Sequence, residues 1–377
     1  MLITDWARQA LPAMLDDLRA VVEVETHSYD KAMLVKGLRA IRARAVGHLG
    51  TPDDEILHEG GQHGDILELY YRGTAPGTVL MLSHYDTVWP TGTLANWPFT
   101  VVDDKATGPG VFDMKTGLVQ SVWALHGLRE LGLPHPSVRF LFNGDEEIGS
   151  PASREHIERA SEDVLATLVF EASMDGALKT ARKGVGLFNV SVTGVEAHAG
   201  LDPDAGANAI HALAEIVTTL ATAGSREFGT TVNVGMISGG TGLNVAAGRA
   251  SCGIDVRVTD PSEMGRIDDI FDELQVSDPR VKISVTGEWN RPPMMPNPGS
   301  ERLFKEAREV ASGFGWLVDE AAVGGASDGN FVAALGRPVL DGMGAVGDGA
   351  HARHEHVLID HIPERLSLSM GLLAALA

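Results

Sequence analysis

Cysteine is almost missing from this chain: Cys252 is the single one in 377 residues. One cysteine excludes an internal disulfide and leaves no thiolate set for zinc, so any metal must be held by histidine and carboxylate. Positive charge is also scarce, with 30 Lys and Arg against 51 Asp and Glu and a net charge of −21. A body this acidic repels phosphate backbones and anionic lipid surfaces, so neither nucleic acid nor membrane is expected as a partner. Apolar runs stay short of the ~18 residues that a membrane span needs. The opening Met1-Leu2-Ile3-Thr4-Asp5-Trp6 lacks the basic start and continuous apolar core of a signal peptide. These absences predict a cytoplasmic protein. No repeat is visible, and the segment 291–298 is too proline-rich for an element interior, which marks it as a crossing between domains.

What is present is a set of short hydrophobic runs that stop at acidic or histidine residues. Val79 to Leu82 stops before His84, Val138 to Phe142 before Glu146, and Leu168 to Phe170 at Glu171. Each reads as a short buried strand. Between them lie helical stretches, Lys115 to Leu131 and Pro151 to Arg159, the second with Ser150 as N-cap. Alternating strands and helices predict an α/β fold with a mostly parallel sheet flanked by helices. In such sheets ligands collect outside the carboxyl ends of the strands, which would gather His84, Glu146, Glu147 and Glu171 at one place.

The chain is long enough for about two domains on the ~150-residue prior, and 44% hydrophobic residues fill both cores. Its middle has a different texture. Segments 186–192, 250–258 and 281–285 alternate apolar and polar residues, the period of a half-exposed antiparallel sheet. Helices are read at 207–221 and 262–274, with Ser262 capping the latter. A small α+β domain is therefore expected at 179–291, inserted into a discontinuous catalytic domain formed by 1–178 and 292–377. The latter resumes with a helix near 300–310, a strand at 338–340 and a last helix from Pro363.

Taken one at a time, the polar residues admit two readings. In Ser83-His84-Tyr85-Asp86, residues i and i+2 of an extended segment face the same way, so Asp86 can fix the His84 tautomer for metal binding. Such a pair is also common without metal. Asp113, before a helix, suits a bridge between two cations and equally an ordinary N-cap. The run Asp145-Glu146-Glu147 at a strand end is costly unless a cation neutralises it, yet a solvated acidic loop would look alike. Neighbouring glutamates also suit a division of labour, one binding metal and one moving the proton of water. His351 lies in the glycine-rich turn 347–351, and His354 and His356 compete with it.

Six segments in order resolve these ambiguities. They are Ser83-His84-Tyr85-Asp86-Thr87-Val88, Gly108 to Gly110 with Asp113 to Gly117, Asn143 to Ser150, Gly194-Val195-Glu196-Ala197-His198-Ala199-Gly200, Gly324 to Asp328, and Ala350-His351 with Glu355. With them the chain resembles, over nearly its whole length, the dizinc family of glutamate carboxypeptidases, acetylornithine deacetylases, succinyl-diaminopimelate desuccinylases and aminoacylases. The resemblance implies two Zn2+ per subunit, with Co2+ or Mn2+ as substitutes. It makes His84 and Glu171 ligands of one ion, Glu147 and His351 ligands of the other, and Asp113 the bridge. Glu146 becomes the general base, Asp86 the orienting partner of His84, and Asp113-Met114 a cis peptide. His198 is implied to stabilise the carbonyl oxygen, reaching across from a partner subunit in dimeric relatives, so a homodimer through the inserted domain is expected.

The same resemblance bears on the substrate. Glu at position 171 is typical of carboxypeptidases and N-acyl amino acid deacylases, whereas Asp there marks aminopeptidases and dipeptidases. Arg257 and Asn244 match family substrate-binding positions, Gly325 and Ser327 fall in a matching segment, and Arg291 and Lys183 are further candidates for gripping a free carboxylate. The expected reaction is hydrolysis of an amide or peptide bond in a small molecule or short peptide, releasing a C-terminal amino acid, with Glu or Asp favoured. The rival readings are an N-acyl-amino-acid, acetylornithine or succinyl-diaminopimelate type of deacylase and, more distantly, a non-catalytic binding protein on the same fold.

Overall fold

The computed structural model describes residues 2–377. The chain opens with α1 (Leu2–Val22) and α2 (Lys31–Leu49), then β1 (Asp54–His58), β2 (Ile66–Tyr71) and β3 (Thr78–His84). Next come α3 (Thr116–Glu130), β4 (Ser137–Asn143), α4 (Arg154–Ala160) and β5 (Ala166–Val169). The middle contributes β6 (Gly184–Thr193), α5 (Ala209–Ala221), β7 (Thr231–Gly239), β8 (Arg249–Val258), α6 (Pro261–Asp272) and β9 (Lys282–Arg291). The chain finishes with α7 (Pro298–Phe314), α8 (Gly329–Ala334), β10 (Val339–Leu340) and α9 (Ile362–Ala375).

Two compact units result. The first runs to Ala181 and takes in Pro296–Val323 and Ser327–Ala377; the second is Arg182–Met295 with Gly324–Ala326. The first unit is an α/β structure around a six-stranded sheet in the order β1-β2-β4-β3-β5-β10. β3 pairs parallel with β4 and β5, and β5 with β10, while β1 and β2 join antiparallel at one edge. The central strands are buried on both faces, which explains their unbroken hydrophobic runs. α1 presents Ala7, Ala10, Met14, Leu18 and Val21 to the core at helical spacing. α3 is buried along nearly its whole length, packing against α1 and α9. Gly117 lets it approach the sheet, since a β-carbon there would lie 1.9 Å from the Phe170 carbonyl oxygen.

The second unit is a four-stranded antiparallel sheet, β7-β8-β6-β9, with α5 and α6 and its own core of Val190, Leu213, Ile216, Ile254, Val256 and Phe271 among others. The alternation read in β6, β8 and β9 is the alternation of their burial. β7 has no counterpart in the sequence reading. Its residues are mostly exposed at the sheet edge, and its glycines blur the period.

Two caps differ from expectation. α6 is capped by Asp260, whose carboxylate accepts the Ser262 N–H at 2.8 Å, so Ser262 itself lies inside the helix. α4 begins at Arg154 rather than Pro151, because the intervening residues turn around Asp145, which accepts from Ala152 and Ser153 N–H at 2.7 and 3.1 Å. No helix among the described residues is long and apolar enough to cross a membrane.

Candidate metal centre

Parallel pairing brings the candidates together. His84 lies opposite Asn143 in the β3–β4 register and Leu82 opposite Val169 in β3–β5, so the ends of three adjacent strands open on one place. His84 ends β3, the Glu146-Glu147 turn follows β4, and Glu171 follows β5. Asp113 enters from an irregular turn, Val111–Lys115, whose Asp113–Met114 peptide is cis. His351 comes from the turn after 347–348 with φ of 61°, a left-handed conformation unusual for a residue with a side chain.

Asp113 stands between the two histidines. Its Oδ1 is 3.2 Å from His84 Nε2 and its Oδ2 is 3.5 Å from His351 Nε2. On one side His84 Nε2 also lies 3.4 Å from Glu171 Oε1; on the other His351 Nε2 lies 2.8 Å from Glu147 Oε2. Ligand-type atoms of His84, Asp113 and Glu147 fall within 4.8 Å of one another, as do those of His84, Glu146 and Glu171.

Three acceptor groups hold this arrangement. His84 Nδ1 is 3.1 Å from the Asp86 carbonyl oxygen and 3.4 Å from its carboxylate. A proton on Nδ1 therefore leaves the Nε2 lone pair aimed at Asp113 and Glu171. The Asp86 carboxylate, fully buried, accepts the backbone N–H of both Glu146 and Glu147 at 3.1 and 3.2 Å and the Ser28 hydroxyl at 2.8 Å. Glu355 does the same for the Asp113 turn: Oε1 accepts from Phe112 and Asp113 N–H at 2.9 and 3.1 Å, and Oε2 from Gly110 N–H and Trp89 Nε1 at 3.1 and 2.9 Å. The sequence reading used Glu355 only to mark His351; a glutamate beside a glycine-rich turn gave no sign that four donors, three of them backbone N–H groups, converge on it.

Electrostatics show that the cluster demands positive charge. Burial and the nearby Asp113 push Glu147 up to about 7. Its hydrogen bond to Glu147 outweighs burial and raises His351 to about 9. Burial opposes charge on His84, yet Asp113, Asp86 and Glu171 together hold its pKa well above the ordinary value. Burial opposes charge on Asp113, yet the His84 bond and the two imidazole charges hold it below its ordinary value. With Glu147 and both imidazoles holding protons, this charge balance suits divalent cations, and the N and O donors are those that Zn2+, Co2+ or Mn2+ accept. Asp145 does not join them, because its carboxylate is turned to the Ala152 and Ser153 amides.

The other candidates have definite places. In the first unit, Ser327 is buried with its hydroxyl 2.5 Å from Asp341 Oδ2. In the second unit, His198 is exposed and its Nδ1 accepts from Gly200 and Leu201 N–H, both at 3.1 Å, which puts the ring proton on Nε2. Arg257 grips Asp255 through Nε and an Nη at 2.9 and 2.8 Å. Arg291 is buried and donates to Asn290 Oδ1 at 2.7 Å, Lys183 donates to the Gly229 carbonyl, and the Gly325 carbonyl accepts from Arg182 at 3.1 Å. Asn244 is exposed, its carbonyl accepting the Ala199 N–H at 2.9 Å.

Residues 80–375 match the model of Peptidase family M20/M25/M40. Carboxypeptidase G2 of Pseudomonas sp. (strain RS-16) is 29% identical over 371 residues, covering 96% of this chain and 89% of the relative. A succinyl-diaminopimelate desuccinylase of Thiobacillus denitrificans is 29% identical over 353 residues, covering 83% and 88%. The crystal structure of the Bacillus subtilis YXEP protein, described as a dinuclear metal binding peptidase from the M20 family, superposes with a TM-score of 0.70 at 16% identity, covering 98% of each chain. A family match over most of the chain, beside groups of side chains that could hold metal ions, leads to one conclusion: the chain belongs to Peptidase family M20/M25/M40 and is a metal-dependent hydrolase of the peptidase and amidohydrolase type.

Proposed function

We propose that the protein cleaves an amide or peptide bond to release a C-terminal amino acid, with Glu or Asp favoured, and that it does so with two Zn2+ held by His84, Glu171, Glu147, His351 and a shared Asp113. The observation that carries this reading is the position of Asp113, whose two oxygens face different histidines, each with its own glutamate. Two such cations, when bound, polarise a carbonyl and lower the pKa of water. Glu146 takes the proton of the attacking water and returns it to the leaving amine, and the Asp86 bonds to the amides of Glu146 and Glu147 fix the turn from which it works. His198, with its donor on Nε2, is assigned to the carbonyl oxygen as negative charge develops there.

The substrate's free carboxylate is assigned to Arg257, Asn244 and Arg291, with Lys183 and Gly325 as further contacts; Ser327, expected among them, is buried with its hydroxyl on Asp341 and is left out of the assignment. Arg257 already clasps the Asp255 carboxylate, so its fork has the geometry for the task and a substrate must compete with that neighbour. A homodimer through the second unit belongs to the same reading, supported by the edge strand β7, which exposes Met236 and Ile237. A cytoplasmic location is part of it as well.

The test is a panel of N-acyl amino acids, dipeptides and succinylated or acetylated diamines offered to purified, Zn2+-loaded protein. Preferential release of C-terminal Glu or Asp is expected. Turnover confined to the diamines would favour the deacylase reading, which the likeness to the desuccinylase supports. No turnover of any amide would sink both.

A further inference from the structure

A second cluster of metal-type side chains lies outside the centre just described. His58 ends β1, Glu68 lies in β2, and His156 lies on α4. β1 and β2 pair antiparallel with Ile56 opposite Glu68, so His58, two residues further along, projects on the same face as Glu68. On α4, His156 and Arg159 are three apart and point together over that face. The ligand atoms of His58, Glu68 and His156 all fall within 4.8 Å of one another. His58 Nε2 is 2.8 Å from Glu68 Oε1, and the two imidazoles stack with centroids 4.1 Å apart.

Arg159 marks the middle of this cluster. A single guanidinium nitrogen lies 3.1 Å from His58 Nε2, 3.1 Å from Glu68 Oε1 and 3.0 Å from His156 Nδ1. That nitrogen carries two hydrogens and cannot serve three acceptors in full. His58 Nε2 meets the same conflict, since a proton there serves Glu68 but leaves no lone pair for Arg159. Three lone-pair atoms thus converge on one point held by a cation whose side chain is 53% exposed and able to swing into solvent. Arg139, 3.8 Å from the other Glu68 oxygen, does not enter that point. Burial, helped by the charges of His58 and Arg159, keeps His156 below its ordinary pKa and so favours the neutral, ligating imidazole.

We propose that His58, Glu68 and His156 form a separate metal site that takes a divalent cation of the Zn2+ class when the Arg159 guanidinium swings out, and that the ion clamps α4 to the β1–β2 edge. Two imidazoles and one carboxylate suit Zn2+, Co2+, Ni2+ or Cu2+ over Mg2+ and Ca2+. Three protein ligands leave a fourth position for water. A divalent ion in place of a monovalent one also strengthens the attraction to Glu68.

Zn2+ alone is the probe. Wild type, His58→Ala/His156→Ala and Arg159→Met are stripped with chelator and brought to equilibrium with buffered Zn2+, and the metal per chain is counted by mass spectrometry. The double variant is expected to bind one equivalent fewer than wild type, with metal-dependent hydrolysis unchanged. Arg159→Met is expected to bind that equivalent about tenfold more tightly, because charge-assisted bonds of the guanidinium no longer compete. Both thermal midpoints should rise as the Asp113 centre fills, and wild type should show a further rise, over the Zn2+ range in which this equivalent binds, that the double variant lacks. Glu68→Gln keeps the packing and serves if the double variant fails to fold. Equal metal content in wild type and in the ligand variants His58→Ala/His156→Ala and Glu68→Gln overturns the proposal, as does an Arg159→Met protein that binds no more tightly. The count is a difference between proteins, so it holds whatever the occupancy of the Asp113 centre.

Discussion

Glu355 accepts the backbone N–H of Asp113 at 3.1 Å across 242 residues of chain. With Phe112, Gly110 and Trp89 also donating to it, this one buried carboxylate fixes the turn that carries the residue placed between His84 and His351.

Glu355→Gln turns one acceptor oxygen into a donor that faces two N–H groups. Stability is expected to fall by about 1–3 kcal/mol, the cost of unsatisfied buried donors. Metal affinity should fall roughly 10–100-fold, as when a ligand's supporting partner is lost. Chemical denaturation and metal titration would measure the two effects separately. Unchanged metal affinity would show that the Asp113 turn holds its shape without this carboxylate.

Glu146→Gln keeps the shape of the turn, since the bonds to Asp86 are made by the backbone. Metal content should match wild type, while kcat falls by about 10²–10⁴ through loss of proton transfer. An equal loss of metal would instead make Glu146 a ligand, as its grouping with His84 and Glu171 allows.

Stripping the metal with chelator should lower the thermal midpoint, because the carboxylates at the centre then face one another. At metal concentrations a thousand times Kd the bound ion contributes about 4 kcal/mol. Calorimetry with and without chelator checks this, and Asp113→Asn, which removes one of those charges, should narrow the gap.

His135 gives a pH signature away from the metal centre. Burial holds its imidazole below the usual 6.5, against the bond of Nδ1 to the Pro136 carbonyl. The unfolded chain therefore binds a proton more readily than the folded one as pH falls below 6.5, and stability declines until the lowered folded value is passed. His135→Gln should show a shallower decline over that window in urea denaturation at stepped pH. Parallel curves would show that the group titrates alike in both states.

Much of this was legible in the sequence because strand ends are. Val79 to Leu82 and Leu168 to Phe170 are apolar throughout, and a polar residue ending such a run in a parallel sheet must lie at its carboxyl edge. What escaped depends on orientation rather than order. Asp145 reads like its neighbours Glu146 and Glu147 but turns to the amides before α4. Ser327 stands in a family segment, yet its hydroxyl points at Asp341. β1 carries mostly exposed residues, so neither run length nor alternation reveals that it pairs with β2. Arg257 could be placed on a strand, but its clasp on Asp255 two residues away is a matter of rotamers.

The clasp between Glu355 and the Asp113 turn also sets a timetable for biosynthesis. While residue 355 is still unmade the Asp113 turn lacks this anchor, so a product terminated before it would hold a divalent cation more weakly than the finished chain does.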